Sequence, residues 1–437
     1  MTRHLSRRRF LELSGAGASA LALGPQVLSA RSGRAKIRHA VVGCSGMGGA
    51  DMGAIASHPD IQIVALCDVD LNNLQSAAKK FPDAKTYRDF RKMFAEIADE
   101  IDTVNVGTPD HMHAAIAMTA LNKGKHVYCQ KPLTHDVYES RRLAEVARAK
   151  KLVTQMGIQV HSSKEYRLAV KVIQDGAIGK VKEVHSWSGK KWGHDGARPP
   201  GEDPVPANLD WDLWIGTAPM RPYKKREYHS QNWRKWTDFG CGTMGDMSIH
   251  ILDPIAGALA LTQPRTILSE SDAPPPESFA TKNVVKYVFP GTKFTVDPFP
   301  LTWYDGDAVP STKGWPVEKL PDQGSMFVGE KGFMLLPHVA KPQLLPAEAF
   351  KDFAMPDVKG DNHWHQFVNA CKGEGATSAN FDYAGPLTEF VLLGVLANRV
   401  PGKLLTWNAA DLKLEGSPEA SALLKRTYRK GWEVEGL

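Results

Sequence analysis

The sequence predicts an α/β protein: a doubly wound parallel sheet followed by a second domain of strands with connecting helices. Three observations predict it. Short apolar runs alternate with helix-length amphipathic stretches from Ile37 to about residue 157, a glycine cluster occupies the first strand-to-helix turn, and the alternation is lost afterwards. The chain of 437 residues, 42% hydrophobic and 23% charged, is long enough for two buried cores.

The first 35 residues read as a segment apart from the fold. Ser6-Arg7-Arg8-Arg9-Phe10-Leu11 precedes a mildly apolar, Gly- and Ala-rich stretch from Leu13 to Leu28, the pattern of a twin-arginine signal peptide. That pattern implies a protein exported folded to the periplasm. Residues 1–30, with four arginines against Glu12, also account for half of the formal net charge of +6, and no dense Lys/Arg block follows, so neither a nucleic-acid footprint nor stable membrane insertion is expected. Five widely spaced cysteines without a CxxC indicate buried thiols rather than a disulfide framework.

Residues 36–157 form the expected nucleotide domain, with strands at Ile37–Val42, Ile61–Leu66, Thr103–Val106, His126–Cys129 and Leu152–Met156. Helical spacing fills Leu71–Phe81, His113–Lys123 and Val137–Lys150. The first turn reads Gly43-Cys44-Ser45-Gly46-Met47-Gly48-Gly49. Ser45 stands where a strict GxGxxG has glycine, yet Gly43, Ser45, Gly46 and Met47 can still bring backbone amides to a pyrophosphate at a helix N-terminus. The second strand ends at Cys67-Asp68, placing a carboxylate for the adenosine ribose. With Asp68 and Asp70 together and no arginine directly after them, NAD is expected rather than NADP.

Two blocks then carry a family resemblance. Thr108-Pro109-Asp110-His111-Met112-His113 and Gln130-Lys131-Pro132-Leu133 are similar to the TPNxxH and EKP blocks of the Gfo/Idh/MocA oxidoreductases, the glucose-fructose oxidoreductase and inositol dehydrogenase family. Asp110 replaces the usual Asn and Gln130 the usual Glu. Further similarity lies in Tyr166-Arg167, Gly176 to Val181, Val328 to Gly332, and the DxxxH block Asp246 to His250. The resemblance implies that Thr108, Pro109, His113, Gln130 and Lys131 face the cofactor, and that residues 158–437 form a substrate-binding α+β domain with a large, mostly antiparallel sheet. It also implies that the chain pairs with another copy.

Alcohol oxidation needs a base, a positive group for the developing alkoxide, and a hydride acceptor. Asp246 and His250 are four apart and share a helical face. His250 is the expected base, Lys131 the positive group, and Asp246 the residue orienting the imidazole or a substrate hydroxyl. Gln159 and His161 follow the sixth strand and are expected near the substrate, with Trp233 and Arg234. Those two belong to a stretch of 50 residues holding six of the 11 tryptophans, whose faces suit sugar rings. No metal is expected: His363 and His365 diverge on a helix.

The expected activity is NAD-dependent oxidation of a secondary hydroxyl of a sugar or glycoside, redox-neutral with a tightly held cofactor. The alternatives are glycoside cleavage through a transient 3-keto sugar, and a non-catalytic sugar-binding protein.

Overall fold

The structure, a computed structural model, describes residues 36–437, so the signal-like segment 1–35 lies outside the described residues. In the first domain β1 (Ile37–Val42), α1 (Gly46–Ala56), β2 (Ile61–Cys67), α2 (Leu71–Lys80), β3 (Lys85–Tyr87), α3 (Phe90–Ile97), β4 (Thr103–Val106), α4 (Asp110–Asn122), β5 (His126–Gln130), α5 (Val137–Ala149) and β6 (Thr154–Gly157) alternate along the chain. The six strands are all parallel, in the order β3-β2-β1-β4-β5-β6. This is the Rossmann topology, and its crevice opens at the carboxyl ends of β1 and β4 where the strand order reverses. Buried strands such as β4 and β5, covered on both faces, explain the unbroken apolar runs.

The second domain adds α6 (Lys164–Gln174), β7 (Val181–Ser188), α7 (Trp211–Ile215) and α8 (Gly242–Leu259), then β8 (Thr266–Ser269), β9 (Lys282–Phe289), β10 (Phe299–Gly306), β11 (Gln323–Gly329), β12 (Phe333–Pro337) and β13 (Gln343–Leu345). After α9 (His363–Cys371) and α10 (Phe381–Ala397), β14 (Leu404–Asn408) and β15 (Lys413–Glu415) complete a nine-stranded sheet, order β13-β12-β11-β7-β10-β9-β8-β14-β15. It is mixed but mostly antiparallel: among these pairs only β7 and β10 run parallel. Lys293–Val296 forms a turn closed by Thr292 and Thr295, with one bridge from Thr295 to Val181. β10 accommodates Pro300 because that residue sits at an exposed strand position.

Two late segments return to the first domain. α9 contributes Phe367, Val368, Ala370 and Cys371 to the core of β1, β2 and α1. Residues 423–437 run back across α5, α4 and α3, with Leu424 accepting from Tyr138, Glu435 from Asn122, and Arg91 over the Trp432 ring at 3.9 Å. In this strap Arg426 bonds Glu139 at 2.8 Å, and Tyr428 donates to the same carboxylate at 2.6 Å. Glu139 in turn accepts from the backbone of His135 and Asp136, in the loop that follows Lys131.

Candidate active site

A cleft of about 560 Å³ runs along the carboxyl ends of β1, β2, β4 and β5 and is roofed by residues 213–214 and 229–234. At one end the first turn forms its floor. Gly43 adopts φ +91°, a conformation that favours glycine, so the chain can reverse tightly after β1. Gly48 lets α1 press against the neighbouring turn: a Cβ there would lie 2.3 Å from the Gly43 carbonyl oxygen and 2.8 Å from that of Gly107. Ser45 precedes α1 without a side-chain cap, leaving the first amides of the helix open to the cleft beside Gly46 and Met47. The Asp68 carboxylate lines the same space, aimed by amide donors from Cys44 at 2.8 Å and Asp70 at 2.9 Å. Burial raises its pKa. Amides for a pyrophosphate and a carboxylate for a ribose are what a dinucleotide requires, and the residues fit NAD.

Thr108, Pro109 and Asp110 open α4 and line the cleft, as do Gln130 and Lys131 at the end of β5. His113 does not line it. The ring spans two turns instead, with Nδ1 2.9 Å from the Pro132 carbonyl and Nε2 2.8 Å from that of Thr108, so it ties the two blocks together from beneath.

The reacting end is built from charges. Lys131 Nζ donates to Asp246 Oδ1 at 2.7 Å and to the Asp246 backbone carbonyl at 3.0 Å, and Arg234 Nε donates to the same Oδ1 at 3.1 Å. Burial pushes the Asp246 carboxyl up, but the two cations outweigh it and hold it well below the usual carboxylate range. Asp246 therefore fixes Lys131 and Arg234; its expected bond to the imidazole is not made among the described residues. Asp110, which does line the cleft, behaves oppositely: burial pushes it up to about 7 against the pull of Arg234 and Lys131.

His250 lies one turn further along α8, and its Nδ1 is buried without a hydrogen-bond partner among the described residues. Burial, with the Lys131 charge adding to it, holds the imidazole well below its ordinary pKa, so it is neutral. Its ring faces His338, 5.9 Å between centroids, and His338 Nδ1 lies 2.6 Å from the Tyr166 hydroxyl. Sequence reasoning missed His338, which follows β12 and carries no motif. It also missed Arg88, which lines the nucleotide end and donates to the carbonyls of Val69 and Asn208.

The residues expected near the substrate divide. Trp233 and Arg234 roof the cleft, with the guanidinium 4.2 Å over the indole. Of the other buried tryptophans in that stretch, Trp214 joins them, whereas Trp187, Trp211 and Trp236 pack in cores. Gln159 and His161 lie in a short 3-10 turn outside the cleft lining. His161 bonds Asp253 at 2.9 Å in a separate cavity beside α6, and Asp253 raises its pKa against the effect of burial. Among the described residues no group of three or more His, Cys, Asp or Glu is arranged to hold a metal.

Comparisons with known proteins agree with this geometry. Residues 37–158 match the NAD-binding Rossmann domain of the Gfo/Idh/MocA oxidoreductases, and residues 162–291 match the family's C-terminal α/β domain. Levoglucosan dehydrogenase of Pseudarthrobacter phenanthrenivorans is 26% identical over 177 residues, 40% of this chain and 37% of that protein. Inositol 2-dehydrogenase of Salmonella typhimurium is 29% identical over 127 residues, 29% of this chain and 37% of that protein. The chain thus matches little more than a third of the length of these curated relatives. The WlbA dehydrogenase of Bordetella pertussis, solved with NADH and UDP-GlcNAcA, superposes with a TM-score of 0.60 at 15% identity, covering 85% of this chain and 99% of that one. Aldose-aldose oxidoreductase of Caulobacter crescentus gives 0.58 at 15% identity, covering 85% and 100%. At such identities these structures share the fold. The two domain models together cover more than half of the residues, and the chain belongs to the Gfo/Idh/MocA oxidoreductase family.

Proposed function

We propose that the protein is an NAD-dependent oxidoreductase acting on a secondary hydroxyl of a sugar or glycoside. The observation that carries this reading is the Lys131 ammonium, held by Asp246 at the edge of β5, in the same cleft as the dinucleotide turn. Bound NAD supplies the hydride acceptor. The neutral His250 accepts the hydroxyl proton, and Lys131 stabilises the oxygen as negative charge develops on it. Asp246 keeps the ammonium in place, and Arg234 steadies the same carboxylate. Levoglucosan, inositol and UDP-GlcNAcA, named for relatives and neighbours, are polyhydroxylated rings, and the Trp233 and Arg234 roof suits the same class. Asp68 and Asp70 disfavour a 2'-phosphate, which supports NAD over NADP.

The second half of the proposal joins the roofed cleft to the twin-arginine pattern. A protein exported folded to the periplasm meets no expected pool of NAD, so the cofactor is loaded before export and restored within each cycle. A second reading, oxidation followed by elimination of a glycoside and re-reduction, is favoured by His338. Elimination needs a second base, and His338 offers a neutral imidazole opposite His250, its pKa lowered to about 4 by burial and then by Lys131.

The test is incubation of the purified protein with free sugars and glycosides, read by mass spectrometry, with absorbance followed near 340 nm. Nucleotide retained through dialysis, released as NAD on denaturation, and a single-turnover absorbance change with an oxidisable sugar are expected. Repeated NADH formation from added NAD by nucleotide-free protein would overturn the redox-neutral reading, and released NADP would overturn the cofactor.

A further inference from the structure

We infer that Asp51 is a positioning residue for the cofactor cleft: it carries the negative charge absent from position 130 and fixes Gln130 so that an acceptor still faces the cofactor. This rests on the NAD reading of the cleft and extends it beyond the residues that line it.

Asp51 lies on α1 and is fully buried. Its Oδ2 accepts from Gln130 Nε2 at 2.7 Å, and its Oδ1 from Trp364 Nε1 at 2.8 Å and more weakly from the Tyr128 hydroxyl at 3.5 Å. An ionised carboxylate only accepts, so the side chain facing it must donate. Glutamate, the residue usual in the family's block, cannot do that; glutamine can.

The bond also decides which way the carboxamide points. With Nε2 turned inward to Asp51, Oε1 lies towards the Lys131 amide, 3.3 Å away, at the cleft wall. The atom left for a ribose hydroxyl is thus an acceptor, as a carboxylate oxygen would be. Gly157 is shaped to this arrangement, because a Cβ there would come within 2.6 Å of Gln130 Nε2. Trp364 belongs to α9, so the helix returning from the second half of the chain completes the set.

The roles of donor and acceptor can be exchanged without moving an atom. In a chain carrying both Asp51→Asn and Gln130→Glu, the carboxamide introduced on α1 would donate its N–H to the carboxylate introduced on β5, while its oxygen would still accept from Trp364. Either change alone sets donor against donor or acceptor against acceptor.

The experiment measures NAD affinity by calorimetric titration at pH 7.5, after charcoal removal of bound nucleotide, for wild type, both single variants and the double variant. Each single change is expected to weaken binding about tenfold or more, the effect of an unsatisfied buried partner of a charged group. The double variant is expected to return to within about threefold of wild type, by the same pairing argument. Losses that multiply in the double variant, or single variants that bind as wild type does, would overturn the inference while leaving the NAD reading intact. Wild type without NAD affinity would overturn both. If a single variant fails to fold, a folded, NAD-binding double variant is the same rescue, and an unfolded one refutes it.

Discussion

At the nucleotide end of the cleft the ligand-facing groups are mainly backbone amides at the start of α1, whereas at the reacting end they are the side chains of Lys131 and Arg234, both anchored on the Asp246 carboxylate of α8. The first is held in shape by what is missing, the Cβ atoms of Gly43 and Gly48. The second is held by opposite charges meeting at one carboxylate oxygen. Each end should therefore fail in its own way, one to added bulk and the other to altered charge.

The largest effect is expected at the charged end. Lys131→Met should lower turnover by about 10²- to 10⁴-fold, with NAD affinity changed far less, measured by steady-state kinetics beside nucleotide titration. Loss of nucleotide binding in parallel would break the separation of the two ends. Gly48→Ala probes the other end. The added Cβ meets backbone on both sides, so about 1–3 kcal/mol of stability and much of the NAD affinity should be lost, read by thermal melting and the same titration. Wild-type NAD binding in this variant would show that the turn tolerates bulk.

The smallest effect sharpens the contrast between Asp246 and Asp110. Asp110 keeps its proton in the native protein up to about pH 7 but releases it in the unfolded chain near 3.8. Between those values the native state binds more protons, so stability falls as pH rises and the deficit is complete above about pH 7. Asp110→Asn carries no such deficit. Its Tm should match wild type below about pH 4 and exceed it by roughly 2–5 °C at pH 8. Equal melting at pH 8 would place Asp110 in a better compensated environment than its burial indicates.

The nucleotide domain was legible because its signals are local. β1 and β4 coincide with their apolar runs, β2, β5 and β6 depart by one or two residues, and only the short, exposed β3 gave no signal. Lys131, Asp246 and His250 were picked out for the same reason, since each sits in a compact block, but of the three only Lys131 lines the cleft, with Asp246 holding it from α8. What escaped depends on pairings across long stretches of chain. The side chain of Asp246 could not be assigned to Lys131 and Arg234 rather than His250 from spacing alone, because a shared helical face says nothing of what arrives from β5. Asp51 belongs to no motif, and its place shows only where Gln130 and Trp364 converge on it. His161 had the right place in the chain, just after β6, but Asp253 and Tyr383 draw it into another cavity.

The strap formed by residues 423–437 imposes an order on the making of this protein. Arg426 lies 287 residues after Glu139, the carboxylate it neutralises, and that carboxylate organises the loop just after Lys131. During synthesis the first domain emerges early and can collapse, yet Asp136 and Glu139 must wait for their cation while almost the whole second domain is made. Burying them unpaired in the interval carries a penalty of several kcal/mol. The loop that follows the lysine is consequently among the last parts of the nucleotide domain to set, although it is encoded in the first third of the chain.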